Sequence, residues 1–221
     1  MGKHEVNIRG GPAAVRFAVL VYEGVEPVDL ATYGVLSMAR RIEPAISVFT
    51  VAPRAGPVAL ASGLRVLADH GFGDCPDAEA LIVTGGPGWA AQCESGETLA
   101  FLRRYAPGRV VAGVCTGAML LAAAGLLDGR KATTKREVAG DERPPVELMR
   151  SRFPRIEVVP GAGLVDCGAV LTGGGVTLGI DATLHLVSRL LGPGVADETA
   201  RIMEYSRAWR ANREALPVLV A

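Results

Sequence analysis

The sequence predicts a doubly wound α/β domain, a mainly parallel sheet sandwiched by helices. Four short apolar runs, residues 16–22, 46–52, 80–84 and 110–114, read as strands buried on both faces of a sheet. They lie too far apart for hairpins, so they need crossover connections, and the segments between them carry helical spacing. A chain of 221 residues that is 49% hydrophobic can bury one substantial core.

Taken in order, residues 1–14 are polar and glycine-rich without a period and read as a flexible leader, followed by one domain over 15–221. Residues 28–41 bring Val28, Tyr33, Leu36 and Ala39 near helical spacing, with Pro44 beyond the end. Residues 58–60 and 64–68 flank Ser62 and Gly63, an antiparallel excursion between two parallel strands. Residues 94–105 open on Glu94 and close on Arg103 and Arg104, the polarity a helix dipole favours. Residues 117–127 are almost wholly apolar and stop at Asp128 and Gly129, which predicts a buried central helix. Strands are expected at 156–159, 163–166 and 170–172. Val176, Ile180, Leu184, Val187 and Leu191 then mark a long helix, with another at 196–205.

Composition removes several classes of function. Lys and Arg number 23 against 23 Asp and Glu, so the electrostatic footprint of a nucleic-acid or anionic-membrane binder is missing. No apolar run approaches the roughly 20 residues that cross a bilayer, and the start lacks a signal-peptide stretch, so a cytoplasmic protein is expected. Four cysteines, at 75, 93, 115 and 167, show no paired spacing and are expected to be free thiols.

Chemistry concentrates after three of the strands. Gly113-Val114-Cys115-Thr116-Gly117 follows a strand and opens a helix, the pattern of a nucleophile elbow with sulfur in place of oxygen. The helix N-terminus there is expected to favour thiolate and to draw the pKa below the free value of about 8.5. Thr84-Gly85-Gly86-Pro87-Gly88-Trp89 offers backbone N–H groups to a developing negative charge. It fits G-x-G-x-x-A formally, but no acidic residue closes the next strand and Pro87 lacks an N–H, so a dinucleotide is not expected, nor any other cofactor or metal. Trp89 is a candidate wall of an apolar substrate pocket, or a core residue. After the first strand, Glu26 and Asp29 sit at the carboxyl edge of the sheet, where open α/β folds place ligands. Spacing alone does not choose between them. Cys93 is expected in the loop after Trp89, with a resolving thiol as one reading. Cys75 and Cys167 fall at turns away from these loops.

From about residue 16 to 206 the sequence resembles the ThiJ/PfpI superfamily, which has a flavodoxin-like fold shared with class I glutamine amidotransferases. The resemblance rests on Val28-Asp29-Leu30, Ala61-Ser62-Gly63-Leu64, Gly85-Gly86, the block from Val114 to Thr134, Gly173-Gly174-Gly175-Val176 and Gly179-Ile180-Asp181. Within the superfamily it is nearest to the isocyanide hydratase group. The resemblance implies Cys115 as nucleophile and Asp29, rather than Glu26, as its carboxylate partner. It also implies Thr116 as the residue whose N–H and hydroxyl face the substrate, Gly86 as a second oxyanion-type donor, and a homodimer acting on a small molecule.

One departure shapes the expected chemistry. Where many members of the superfamily follow Ala-Thr-Thr with histidine, this chain has Lys135 and Arg136 after Ala132-Thr133-Thr134. Lys135 reads either as a holder of a small carboxylate or as a solvated strand-end charge. His70 and His185 are not expected in catalysis, so a Cys–His protease is disfavoured. Addition of water to an isocyanide, through a thioimidate to an N-substituted formamide, needs only the thiol and a carboxyl group. The competing readings are a redox protein with an oxidisable Cys115 and a ligand-sensing domain related to transcription regulators.

Overall fold

In a computed structural model, which describes residues 14–221, the first strand β1 (Val15–Leu20) is the middle of the fold. Phe17, Ala18, Val19 and Leu20 are wholly buried, as expected of a strand covered on both faces. A 3₁₀ turn at Pro27–Leu30 leads into helix α1 (Ala31–Ala39), so the helix expected from residue 28 begins tighter and three residues later. Strand β2 (Ile46–Ala52) pairs parallel to β1, and the predicted excursion is an antiparallel pair, β3 (Gly56–Ala59) and β4 (Arg65–Ala68). The short β5 (His70–Gly71) extends the sheet beyond β2.

Strand β6 (Ala80–Val83) pairs with the other edge of β1. A short helix not expected from the sequence, α2 (Trp89–Glu94), precedes the helix expected at 94–105, which is α3 (Gly96–Tyr105); Ser95 separates them, and its hydroxyl accepts from Thr98 N–H and caps α3. Cys93 therefore lies on a helix and not in a loop. Strand β7 (Val110–Gly113) precedes α4 (Gly117–Ala123), which ends four residues before the predicted stop. Then come β8 (Lys131–Ala132), α5 (Pro145–Arg152), β9 (Glu157–Val158), β10 (Leu164–Cys167) and β11 (Val170–Gly173). The chain closes with α6 (Leu178–Leu191), α7 (Pro193–Ile202), α8 (Ser206–Ala215) and β12 (Val218–Val220).

The main sheet runs β12-β10-β11-β7-β6-β1-β2-β5, parallel throughout except where β10 meets β11. Helices α1, α6 and α7 pack on one another, α2, α3, α4 and α5 form a second group, and the two groups flank the sheet. Strand order reverses around β1, the position at which doubly wound sheets open a crevice beyond their carboxyl ends. None of the described helices is long and apolar enough to cross a membrane. The leader expected at 1–14 lies outside the described residues apart from Ala14.

The turn from β7 into α4 sets the geometry of that crevice. A Cβ on Gly117 would stand 2.0 Å from the Val83 carbonyl oxygen, so only glycine lets α4 start against the end of β6. The contrasting case is Gly34, exposed in the middle of α1 with open space around it. Gly117→Ala should therefore destabilise the protein by about 2 kcal/mol or more through overpacking. Gly34→Ala should stabilise it by about 0.5–1 kcal/mol through helix propensity. Urea denaturation of both variants checks the pair, and the reverse order would contradict the packing described.

Candidate active site

Four loops meet beyond the carboxyl ends of β1, β6, β7 and β11, and Cys115 stands among them. Its φ of +52° is the left-handed region that a side chain rarely adopts, and it turns the sulfur out of the line of the strand. The strain is held from both sides. Cys115 N–H donates to the Gly174 carbonyl at 3.1 Å, and the buried Thr134 hydroxyl donates to the Cys115 carbonyl at 2.7 Å. The thiol is 3% exposed and opens onto a pocket of about 530 Å³, also lined by Glu26, Trp89, Thr116, Lys135 and Val176. Trp89 lines this pocket, partly exposed, and also packs against the core.

Asp29, 1% exposed, is brought to the sulfur by the 3₁₀ turn after β1. Its Oδ2 accepts a 2.6 Å hydrogen bond from Gly85 N–H, and its charge is felt at the Cys115 thiol. Oδ1 is buried and has no hydrogen-bond partner, which leaves it able to give or accept a proton. Glu26 lines the pocket but faces Asp29 electrostatically rather than bonding the thiol.

Burial pushes the Asp29 carboxyl up to about 7, and the hydrogen bond from Gly85 only partly offsets it. Burial, reinforced by the charge of Asp29, pushes the Cys115 thiol up to about 11. This corrects the expected thiolate. The N–H groups of Val176 and Thr116 and the positive charge of Lys135 all act downward, but desolvation outweighs them. Near neutral pH the sulfur keeps its proton, and the group poised to change state is Asp29.

Two donor assignments also change. The Gly86 N–H donates to Thr116 Oγ1 at 2.9 Å, so it is not free for an oxyanion. At φ +145°, with a Cβ position 2.1 Å from Glu26 N, Gly86 instead lets the β6 loop close on the β1 loop. The Thr116 hydroxyl is bonded into the wall, with the Gly86 carbonyl at 3.4 Å and the Tyr22 phenol in reach, and it is the Thr116 N–H that faces the sulfur. The second N–H at the sulfur belongs to Val176, which composition and spacing did not single out. Val176 is itself at φ +52°, rare for a β-branched residue. The signal that could have found it is the glycine run 173–175 just after a buried strand.

The other candidates lie elsewhere. His185 Nε2 sits 2.8 Å from Asp166 Oδ2, and Arg189 holds the second oxygen of Asp166 at 2.9 Å, an ion-pair cluster of α6 and β10 remote from the thiol. His70 packs edge-on against Phe49. All four cysteines are free.

The DJ-1/PfpI family matches residues 15–189. An isonitrile hydratase of Pseudomonas putida is 33% identical over 198 residues, covering 88% of this chain and 80% of that protein. The transcriptional regulator GbdR of Pseudomonas aeruginosa is 31% identical over 146 residues, 66% of this chain but 37% of the regulator. Among solved structures, a ThiJ/PfpI family protein from Pseudomonas syringae superposes with a TM-score of 0.75 at 28% identity, covering 93% of this chain and 81% of the other.

The raised Asp29 pKa links the site to stability. An acid that holds its proton more tightly folded than unfolded makes folding less favourable as pH rises from about 4 to about 7, after which the cost is constant. Asp29→Asn removes that cost while an amide oxygen can still accept from Gly85. The stability of Asp29→Asn relative to wild type should therefore rise between pH 5 and pH 8, by about 2–3 kcal/mol. Urea denaturation at the two pH values measures it, and a difference independent of pH would refute the shift.

Proposed function

Because the chain belongs to the DJ-1/PfpI family, we propose that it is a cysteine-dependent enzyme that adds water to an isocyanide and releases an N-substituted formamide. The observation that carries this reading is the pairing of a buried thiol with a buried carboxyl group near neutral pKa, at a pocket with no histidine among the described residues that line it. The likeness to an isonitrile hydratase supports the substrate class.

The pair suffices for the chemistry. An isocyanide enters with its terminal carbon toward Cys115. Ionised Asp29 takes the thiol proton through Oδ1 as the sulfur bonds to that carbon, and then delivers the same proton to the carbon, giving a thioimidate. Water next attacks the thioimidate carbon. Asp29 accepts a proton from the water and passes it to nitrogen, and collapse of the adduct reforms the C=O bond and returns the sulfur as thiol. The N–H groups of Thr116 and Val176 stabilise the sulfur while it carries negative charge. A carboxyl group with a pKa near 7 serves both directions of transfer, since it is neither too weak a base for the first step nor too weak an acid for the second.

A second reading has the same amide pair in its favour. Two N–H groups aimed at the sulfur would also hold the oxygens of a sulfinic acid, so an oxidisable Cys115 without turnover is the alternative.

Incubation with a neutral alkyl isocyanide distinguishes the two. Formamide should accumulate catalytically with the wild type, disappear with Cys115→Ala, and fall at least about 100-fold with Asp29→Asn. No formamide, together with stoichiometric conversion of Cys115 to the sulfinic acid by peroxide, would replace the hydratase reading with the redox one.

A further inference from the structure

Lys135 contributes a charge at the thiol that the addition chemistry does not use. It follows β8, is partly buried, and lines the same pocket as Cys115. Among the described residues its ammonium makes no ion pair and no side-chain hydrogen bond. Its stem is fixed against the β11 loop, because a Cβ on Gly175 would meet Lys135 Cγ at 2.9 Å and Cβ at 3.3 Å. That loop carries Val176, whose N–H faces the sulfur. The ammonium belongs to the same pocket as the reacting atom, and both Asp29 and Cys115 feel its positive charge as the smallest of the effects acting on each.

The remaining lining divides by sign and polarity. Arg143 and Glu142 are exposed at the rim, carry opposite charges and largely cancel for an approaching ion. Glu26 lies on the Asp29 side, where two acids repel an anion. Trp89, Val138 and Leu148 supply apolar wall.

We infer that the pocket selects a small ligand with an apolar body and a carboxylate, which Lys135 pairs with while the reacting carbon meets Cys115. Resting on the hydratase reading, this names its substrate class as carboxylate-bearing isocyanides. Lys135 acts as a specificity residue: it touches the anionic end of the substrate and takes no proton from the reaction.

Charge selection can be read without turnover, by alkylating Cys115 with iodoacetate or with the nearly isosteric, neutral iodoacetamide. In either reaction the sulfur forms a bond to the methylene carbon, iodide leaves, and the thiol proton passes to Asp29 or buffer. Mass spectrometry of the Cys115 peptide gives the two rates. Relative to free cysteine, the iodoacetate-to-iodoacetamide rate ratio should be raised about tenfold in the wild type, fall about tenfold in Lys135→Met, and recover in Lys135→Arg, the size expected of one partly buried ion pair. A wild-type ratio no higher than that of free cysteine, or one unchanged in Lys135→Met, overturns the inference. A parallel assay compares a carboxylate-bearing and a neutral isocyanide of similar size, with the ratio of their kcat/KM values expected to drop in Lys135→Met. If neither isocyanide is hydrated, the hydratase reading fails while the alkylation ratio still decides the charge preference.

Discussion

The site depends on one strained residue. Cys115 occupies a left-handed backbone conformation that costs on the order of 1–3 kcal/mol. It persists because a carbonyl from the β11 loop, a hydroxyl from Thr134 and the end of β6 each grip the turn. Those grips come from segments far apart in the chain, so the thiol is held by the whole sheet edge rather than by its own loop. A second residue under the same strain, Val176, completes the arrangement by turning its N–H to the sulfur. Two strained backbones facing one atom amount to a preorganised electrostatic environment, bound together by the packing of β6, β7 and β11.

Burial then decides the chemistry. A thiol at a helix start in water would lean toward thiolate, but here it is enclosed with a carboxyl group, and two negative charges cannot share so dry a site. The proton therefore becomes the mobile element of the pair, which suits the hydration proposed above, in which one proton moves from sulfur to carbon and another from water to nitrogen. Lys135 adds an opposing charge without contributing to either transfer.

The layered fold and the meeting of three loops are legible in the residues. Strands covered on both faces, such as 16–22 and 80–84, have little choice but to be apolar throughout, and the topology of such sheets brings their carboxyl ends together. Resemblance to a family, and not the spacing, singled out Asp29 over Glu26, and Asp29 is the one that is buried. What was not legible is decided by tertiary partners. Helix α5 is not expected from the sequence; Pro145 opens it, where a first-turn proline needs no N–H partner. Val218–Val220, not expected as a strand, gains its identity from the free edge of β10. The direction of the thiol shift depends on how completely the pocket excludes water, and the Val176 amide on a dihedral angle that no residue pattern encodes.

The most direct test of the account is the ultraviolet titration of the Cys115 thiolate, with Cys115→Ala as the baseline, in wild type and Asp29→Asn. A coupled, desolvated pair predicts that the wild-type thiolate appears only above the ordinary thiol range and that its midpoint moves down once the Asp29 charge is removed. A thiolate already formed at neutral pH in the wild type, or a midpoint indifferent to Asp29, would contradict it.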